Sequence, residues 1–136
     1  MSNTLPSLRS VLLADAATCV GAGLFMTLGA GALAPVLSLP AELLLYAGAS
    51  LFPVAAFMTF VGLKAADSIA LTGAVVAGNA AWVLGSLLVI AGVAGPPSAL
   101  GVAFVAAQSL AVSVLAALEL AGLRGLRASA PTAPAT

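Results

Sequence analysis

IALTGAVVAGNAAWVLGSLLVIAGV, residues Ile69 to Val93, contains no Lys, Arg, Asp or Glu. A helix rises about 1.5 Å per residue, so about 20 apolar residues cross the hydrocarbon core of a bilayer. This stretch is long enough to do so. Three more stretches of similar character surround it: Val11–Ala34, Ala41–Leu63 and Ala99–Gly122. Together the four occupy most of the 136 residues and leave no length for a soluble domain. Composition agrees: 62% of residues are hydrophobic and 6% charged, against about 25% charged in an ordinary soluble domain. Mean hydropathy is +1.24.

The expected fold is therefore all-α: a polytopic membrane protein with four transmembrane helices in an up-down-up-down bundle. Residues 1–127 form the single transmembrane domain, with helices over 11–34, 41–63, 69–93 and 99–122. Pro35 and Pro40 bracket the first turn, Lys64–Ser68 makes the second, and Gly95-Pro96-Pro97-Ser98 the third. Asp67 or Ser68 is available to cap the third helix and Ser98 the fourth. The tail Ala128–Thr136, rich in Ala, Pro, Ser and Thr, reads as disordered. A signal-peptide reading of the first stretch takes Arg9 as its basic start and Ala32-Leu33-Ala34 as a cleavage site. Pro35, Asp15 and the length of the apolar run oppose that reading.

The four basic residues orient the chain. Arg9 precedes the first helix, Lys64 lies between the second and third, and Arg124 and Arg127 follow the fourth. With four spans these segments share one side, and the loops around Ser38–Pro40 and Gly95–Ser98 carry no Lys or Arg. The positive-inside rule then puts both termini in the cytoplasm. The expected location is a cell membrane, that of a bacterial inner membrane.

Several chemistries are excluded by residue type. Net charge is zero, which argues against a nucleic-acid partner. There is no His and a single Cys, Cys19, so no metal site, cofactor ligand set or His-dependent triad is expected. Glycine runs such as Gly21-Ala22-Gly23 lie inside an apolar span and form no phosphate loop. The chain is not expected to be an enzyme.

Helix packing carries a clearer pattern. Gly73, Ala77, Ala81 and Gly85 recur every fourth residue, as do Ala103, Ala107 and Ala111. Such smooth faces let a neighbouring helix backbone approach closely, within one bundle or across a homo-oligomer interface. Pro53 falls mid-helix and is a candidate hinge, because proline cannot donate to the carbonyl four residues earlier. Gly62-Leu63-Lys64 ends the second helix as Gly122-Leu123-Arg124 ends the fourth, a faint internal repeat.

The candidate site residues are the polar groups inside the spans: Asp15, Asn79, Gln108 and Glu119. Ionisable residues are costly there and point to function by default. Asp15 and Glu119 fall about one turn from the cytoplasmic ends of their helices, so neither is expected to be deeply buried. Asn79, Trp82 and Ser86 share a face, as do Gln108 and Glu119. If helices one, three and four meet, Asp15, Asn79 and Glu119 form one cluster, its two carboxyl groups titrating as a coupled unit. The structural alternatives are a carboxylate complementing the start of helix one, a Glu119–Arg124 pair, and Asn79 and Gln108 as interhelical glue.

Leu13-Ala14-Asp15, Gly78-Asn79-Ala80-Ala81-Trp82-Val83-Leu84, Ala107-Gln108 and Glu119-Leu120-Ala121-Gly122-Leu123-Arg124 together resemble a group of small four-span bacterial integral membrane proteins. That resemblance covers nearly the whole chain and implies no activity. Four spans with an acid in helix one are also similar in outline to small multidrug resistance transporters, whose dimers bind protons and cationic drugs in competition at a helix-one glutamate. Here the acid is Asp15, near one end, and the aromatic residues that surround the family's glutamate are missing. The likeness is architectural.

Two functions follow from these readings. The leading one is a non-enzymatic accessory or assembly subunit, held in a larger membrane complex by small-residue helix faces. The alternative is an oligomeric small-molecule or ion transporter or channel with Asp15 and Glu119 as proton- or cation-coupling groups.

Overall fold

The computed structural model describes residues 5–132. It contains four α-helices: α1 (Leu8–Leu37), α2 (Ala41–Lys64), α3 (Ile69–Ile90) and α4 (Ala99–Ser129). All four are long and apolar enough to cross a membrane. No strand occurs among the described residues.

Local chemistry sets the helix ends. The Ser7, Ser68 and Ser98 hydroxyls accept from the backbone N–H groups of Ser10, Leu71 and Gly101 and so cap α1, α3 and α4. Gly92 takes a left-handed φ of 91°. There Val93 N–H reaches Leu88 O and Gly92 N–H reaches Val89 O, a glycine stop of the Schellman type. This is why α3 ends at Ile90 rather than at Val93. Two other limits differ from the apolar pattern. α1 starts at its Ser7 cap and carries Pro35 within its last turn, where the proline leaves the Gly31 carbonyl without its usual N–H donor. α4 continues to Ser129, so Ala128 and Ser129 are helical rather than the start of a tail, while residues 133–136 lie outside the described chain. Pro53 is accommodated inside a continuous α2.

α1 is the hub. It packs most extensively on α2 and also on α4, α3 packs on α4, and α2 and α3 barely touch. Glycine makes the closest approaches. A Cβ on Gly48 would lie 2.8 Å from Met26 Cβ and from Thr27 Oγ1, and one on Gly23 would lie 3.0 Å from Gly48 O. Gly62 and Gly122, the matching positions of the faint repeat, both seat leucines of α1: Leu13 against Gly62 and Leu8 against Gly122. At the other end of α1, a Cβ on Gly101 would collide with Leu37 O. The same corner is tied by Ser98, whose backbone N–H donates to Leu37 O at 3.0 Å and whose hydroxyl donates to Val36 O at 2.8 Å.

The small-residue stripes do not pack as their spacing predicts. Ala77, Ala81 and Gly85 on α3 are exposed, as are Ala103, Ala107 and Ala111 on α4. A Cβ on Gly85 would meet nothing within 4 Å. The close helix contacts belong instead to glycines of α1, α2 and α4. Spacing identifies a smooth face but does not say which way that face points.

Candidate functional site: a buried carboxyl–amide cluster beside a cavity

Asp15, Asn79 and Glu119 come together from α1, α3 and α4. Asn79 Nδ2 donates to Asp15 Oδ2 at 2.7 Å and to Glu119 Oε2 at 2.8 Å. An amide nitrogen carries two hydrogens, so one side chain bridges two carboxyl groups through a single atom. The three residues are buried, with Glu119 0% and Asp15 1% exposed.

This corrects the expectation that neither carboxylate lies deep. Both helices run further than their apolar stretches. α1 begins at Leu8, so Asp15 sits two turns in, and α4 continues ten residues beyond Glu119, to Ser129. Leu12, Val61 and Leu123 are also buried and belong to the surrounding core. Asp15 is thus not a first-turn carboxylate complementing a helix start. The proposed partner of Glu119, Arg124, is exposed, as are Arg9, Lys64 and Arg127.

The cluster is not fully satisfied. Glu119 Oε1 is buried with no hydrogen-bond partner. Asp15 Oδ1 has a weak contact, Cys19 Sγ at 3.8 Å, and the same sulfur lies 3.9 Å from Met58 Sδ. Two buried carboxyl groups with no basic side chain beside them need a proton or a bound cation for balance. Thr72, two turns from Asn79 on the same side of α3, is fully buried and its hydroxyl is unpartnered. The sequence reading missed Thr72. Its seven-residue spacing from Asn79 is the signal that pointed to it.

Space adjoins the cluster. A pocket of about 110 Å³ is lined by Asp15, Cys19, Asn79, Trp82 and Gln108 among others. It shares Gly78, Trp82 and Gln108 with a larger cavity of about 380 Å³. A third pocket, of about 320 Å³, lies between α2 and α3, where Pro53, Val54 and Phe57 face Ala74, Val75 and Gly78. Gln108 is therefore not part of the carboxyl cluster; it lines both of the adjoining cavities. Pro53 lies on the α2–α3 crevice. Ser86, a further turn along the face of Asn79 and Trp82, donates its hydroxyl to Trp82 O at 2.8 Å.

Comparison with known proteins finds no matching family model, no matching curated protein and no matching solved structure. The chemistry must be read from the site itself. Among the described residues no group of three or more His, Cys, Asp or Glu is placed to hold a metal ion. What the arrangement offers is a pair of acids that can accept and release a proton or a small cation beside an apolar cavity.

Proposed function

We propose that this protein is a small carrier for ions or small molecules, in which Asp15 and Glu119, bridged by Asn79, are the coupling groups. The observation that carries this reading is the bridge itself, two fully buried carboxyl groups on one amide nitrogen with all basic residues exposed elsewhere. A purely structural hydrogen-bond tie would need one acceptor, not two acids, one of which keeps a buried oxygen without a partner. The reading includes no enzymatic step and no cofactor.

In this proposal the helices form an up-down-up-down bundle in a bacterial inner membrane, with both termini cytoplasmic by the distribution of Arg9, Lys64, Arg124 and Arg127. Four helices enclose little volume, so the working unit is an oligomer. The exposed alanine face of α4, Ala103, Ala107 and Ala111, offers a contact surface for it. The same face favours a second reading, a non-enzymatic subunit of a larger complex. Recovery of a stoichiometric partner in mild detergent supports that reading, and a lone protein in native nanodiscs removes it.

Charge displacement tests the carrier directly. Proteoliposomes adsorbed to a capacitive sensor are exposed to a pH jump, which moves charge if the cluster binds protons from one side. The wild type is expected to give a transient current, and Asp15→Asn with Glu119→Gln to lose it while keeping helical content. A full-sized transient in the double variant sinks the proposal.

A further inference from the structure

Beyond Gly73, which faces Leu123 of α4, the small residues of α3 around Gly78 and Gly85 leave open space. A Cβ on Gly78 or Gly85 would meet nothing within 4 Å. Gly78, Ala81 and Gly85 form one wall of the cavity of about 380 Å³, opposite residues of α1, α2 and α4. That volume lies in the range of pockets that hold small organic ligands, roughly 300–1,000 Å³. Because α2 and α3 barely touch, and the crevice at Pro53 and Gly78 lies between them, the cavity adjoins the lipid-facing side of the bundle.

The lining identifies the ligand class. No charged residue borders the larger cavity, so a charged occupant would lose its hydration without compensation. Its polar side chains are Ser86, Gln108 and Trp82, whose indole N–H can only donate. The Ser86 hydroxyl already donates its hydrogen to Trp82 O and is left only as an acceptor. The Gln108 amide makes no hydrogen bond with any described residue, and it offers both a donor and an acceptor. We infer that this cavity binds an uncharged, largely apolar molecule bearing one hydrogen-bonding group, taken up sideways from the bilayer between α2 and α3 and held by the Gln108 amide. The inference rests on the carrier reading for its role, since the cavity shares Gly78, Trp82 and Gln108 with the pocket that contains Asp15. A ligand there is positioned to feel the state of the carboxyl cluster, and the influence is reciprocal.

Trp82, the chain's single tryptophan, lines both cavities and serves as the reporter. Bromine quenches indole fluorescence on contact. The protein in nanodiscs is titrated with a bromine-terminated decanol, with bromodecane and with a bromodecyl-trimethylammonium salt. The alcohol is expected to quench saturably, at a membrane concentration roughly fivefold lower than the alkane needs, the effect of one net hydrogen bond. Gln108→Leu should erase that difference. Gly78→Leu and, as a second filling variant, Ala81→Leu should remove the saturable quenching while keeping helical content. Equal, unsaturating quenching by alcohol and alkane means that bulk acyl chains fill the space and overturns the inference. Tightest binding of the ammonium salt overturns it in favour of a charged ligand. Absence of quenching, with Gly85→Cys forming an intermolecular disulfide, overturns it in favour of a second copy. The carrier reading fails separately: saturable alcohol binding with an unchanged charge transient in the Asp15/Glu119 double variant removes the carrier and leaves the site.

Discussion

Asn79 commits both hydrogens of one amide to two carboxyl groups, and no other described donor reaches Glu119. Truncating it leaves two buried acids without their shared donor. Asn79→Ala is therefore expected to destabilise the protein by about 1–3 kcal/mol, read by reversible unfolding in mixed micelles. A loss below a few tenths of a kcal/mol would show that the acids find other partners. Thr72 gives the opposite expectation. Thr18 and Thr59 donate to the carbonyls four residues earlier, at 2.9 and 2.7 Å, but the Thr72 hydroxyl is buried and unpaired. Replacing it by a methyl removes an unsatisfied group at constant shape. Thr72→Val should raise stability by up to about 1 kcal/mol, whereas Thr59→Val should bring no such gain. A destabilising Thr72→Val would mean that the hydroxyl holds a water the fold needs. The sequence named Asp15, Asn79 and Glu119 as one cluster because intramembrane polar residues are rare enough to find one another. It misjudged their depth because apolar limits at Val11 and Gly122 ignore the capped and basic turns beyond them.

Glycine divides the helices into places of contact and places of space. A Cβ on Gly48 would lie 2.8 Å from Met26 and Thr27 atoms, and one on Gly101 would collide with Leu37 O, a backbone atom already held by Ser98. Neither site can yield cheaply to a methyl group. Gly48→Ala and Gly101→Ala should each cost about 1–3 kcal/mol through overpacking. Gly78→Ala and Gly85→Ala meet open space and remove a poor helix former, so they should be neutral or stabilising by up to about 1 kcal/mol. The same unfolding assay distinguishes the two pairs, and equal costs at all four positions would refute the assignment of space to α3. None of this division was legible in the sequence. In a membrane helix the lipid-facing and protein-facing sides are both apolar, so the four-residue spacing of Gly73, Ala77, Ala81 and Gly85 marks a smooth face without revealing its neighbour. The contact glycines Gly23, Gly48 and Gly101 have no such regular spacing, and only the packing of α1 on its neighbours shows them.

The two ends of the molecule differ in charge and in how they are tied. Ser98 bonds the carbonyls of Val36 and Leu37, which brings the turn before α4 onto the end of α1. The loops joined there, around Ser38–Pro40 and Gly95–Ser98, contain no Lys or Arg. Gly62 and Gly122 bring the ends of α2 and α4 against Leu13 and Leu8 near the start of α1. Arg9, Lys64 and Arg124 lie within a few residues of those contacts, and all are exposed. A basic end and an end that lacks Lys and Arg and carries Glu42 are the arrangement on which the proposed orientation rests, since the positive-inside rule counts Lys and Arg. Ser38 and Asp67 are exposed residues in connections near opposite ends. Single cysteines placed there, in a background with Cys19→Ser, should be labelled by a membrane-impermeant maleimide from opposite sides: Ser38→Cys in intact cells, and Asp67→Cys after the membrane is opened. Labelling of both from outside would refute the orientation. It would also remove the cytoplasmic proton supply that the position of Asp15 and Glu119, toward the basic end of the bundle, requires of the proposed carrier.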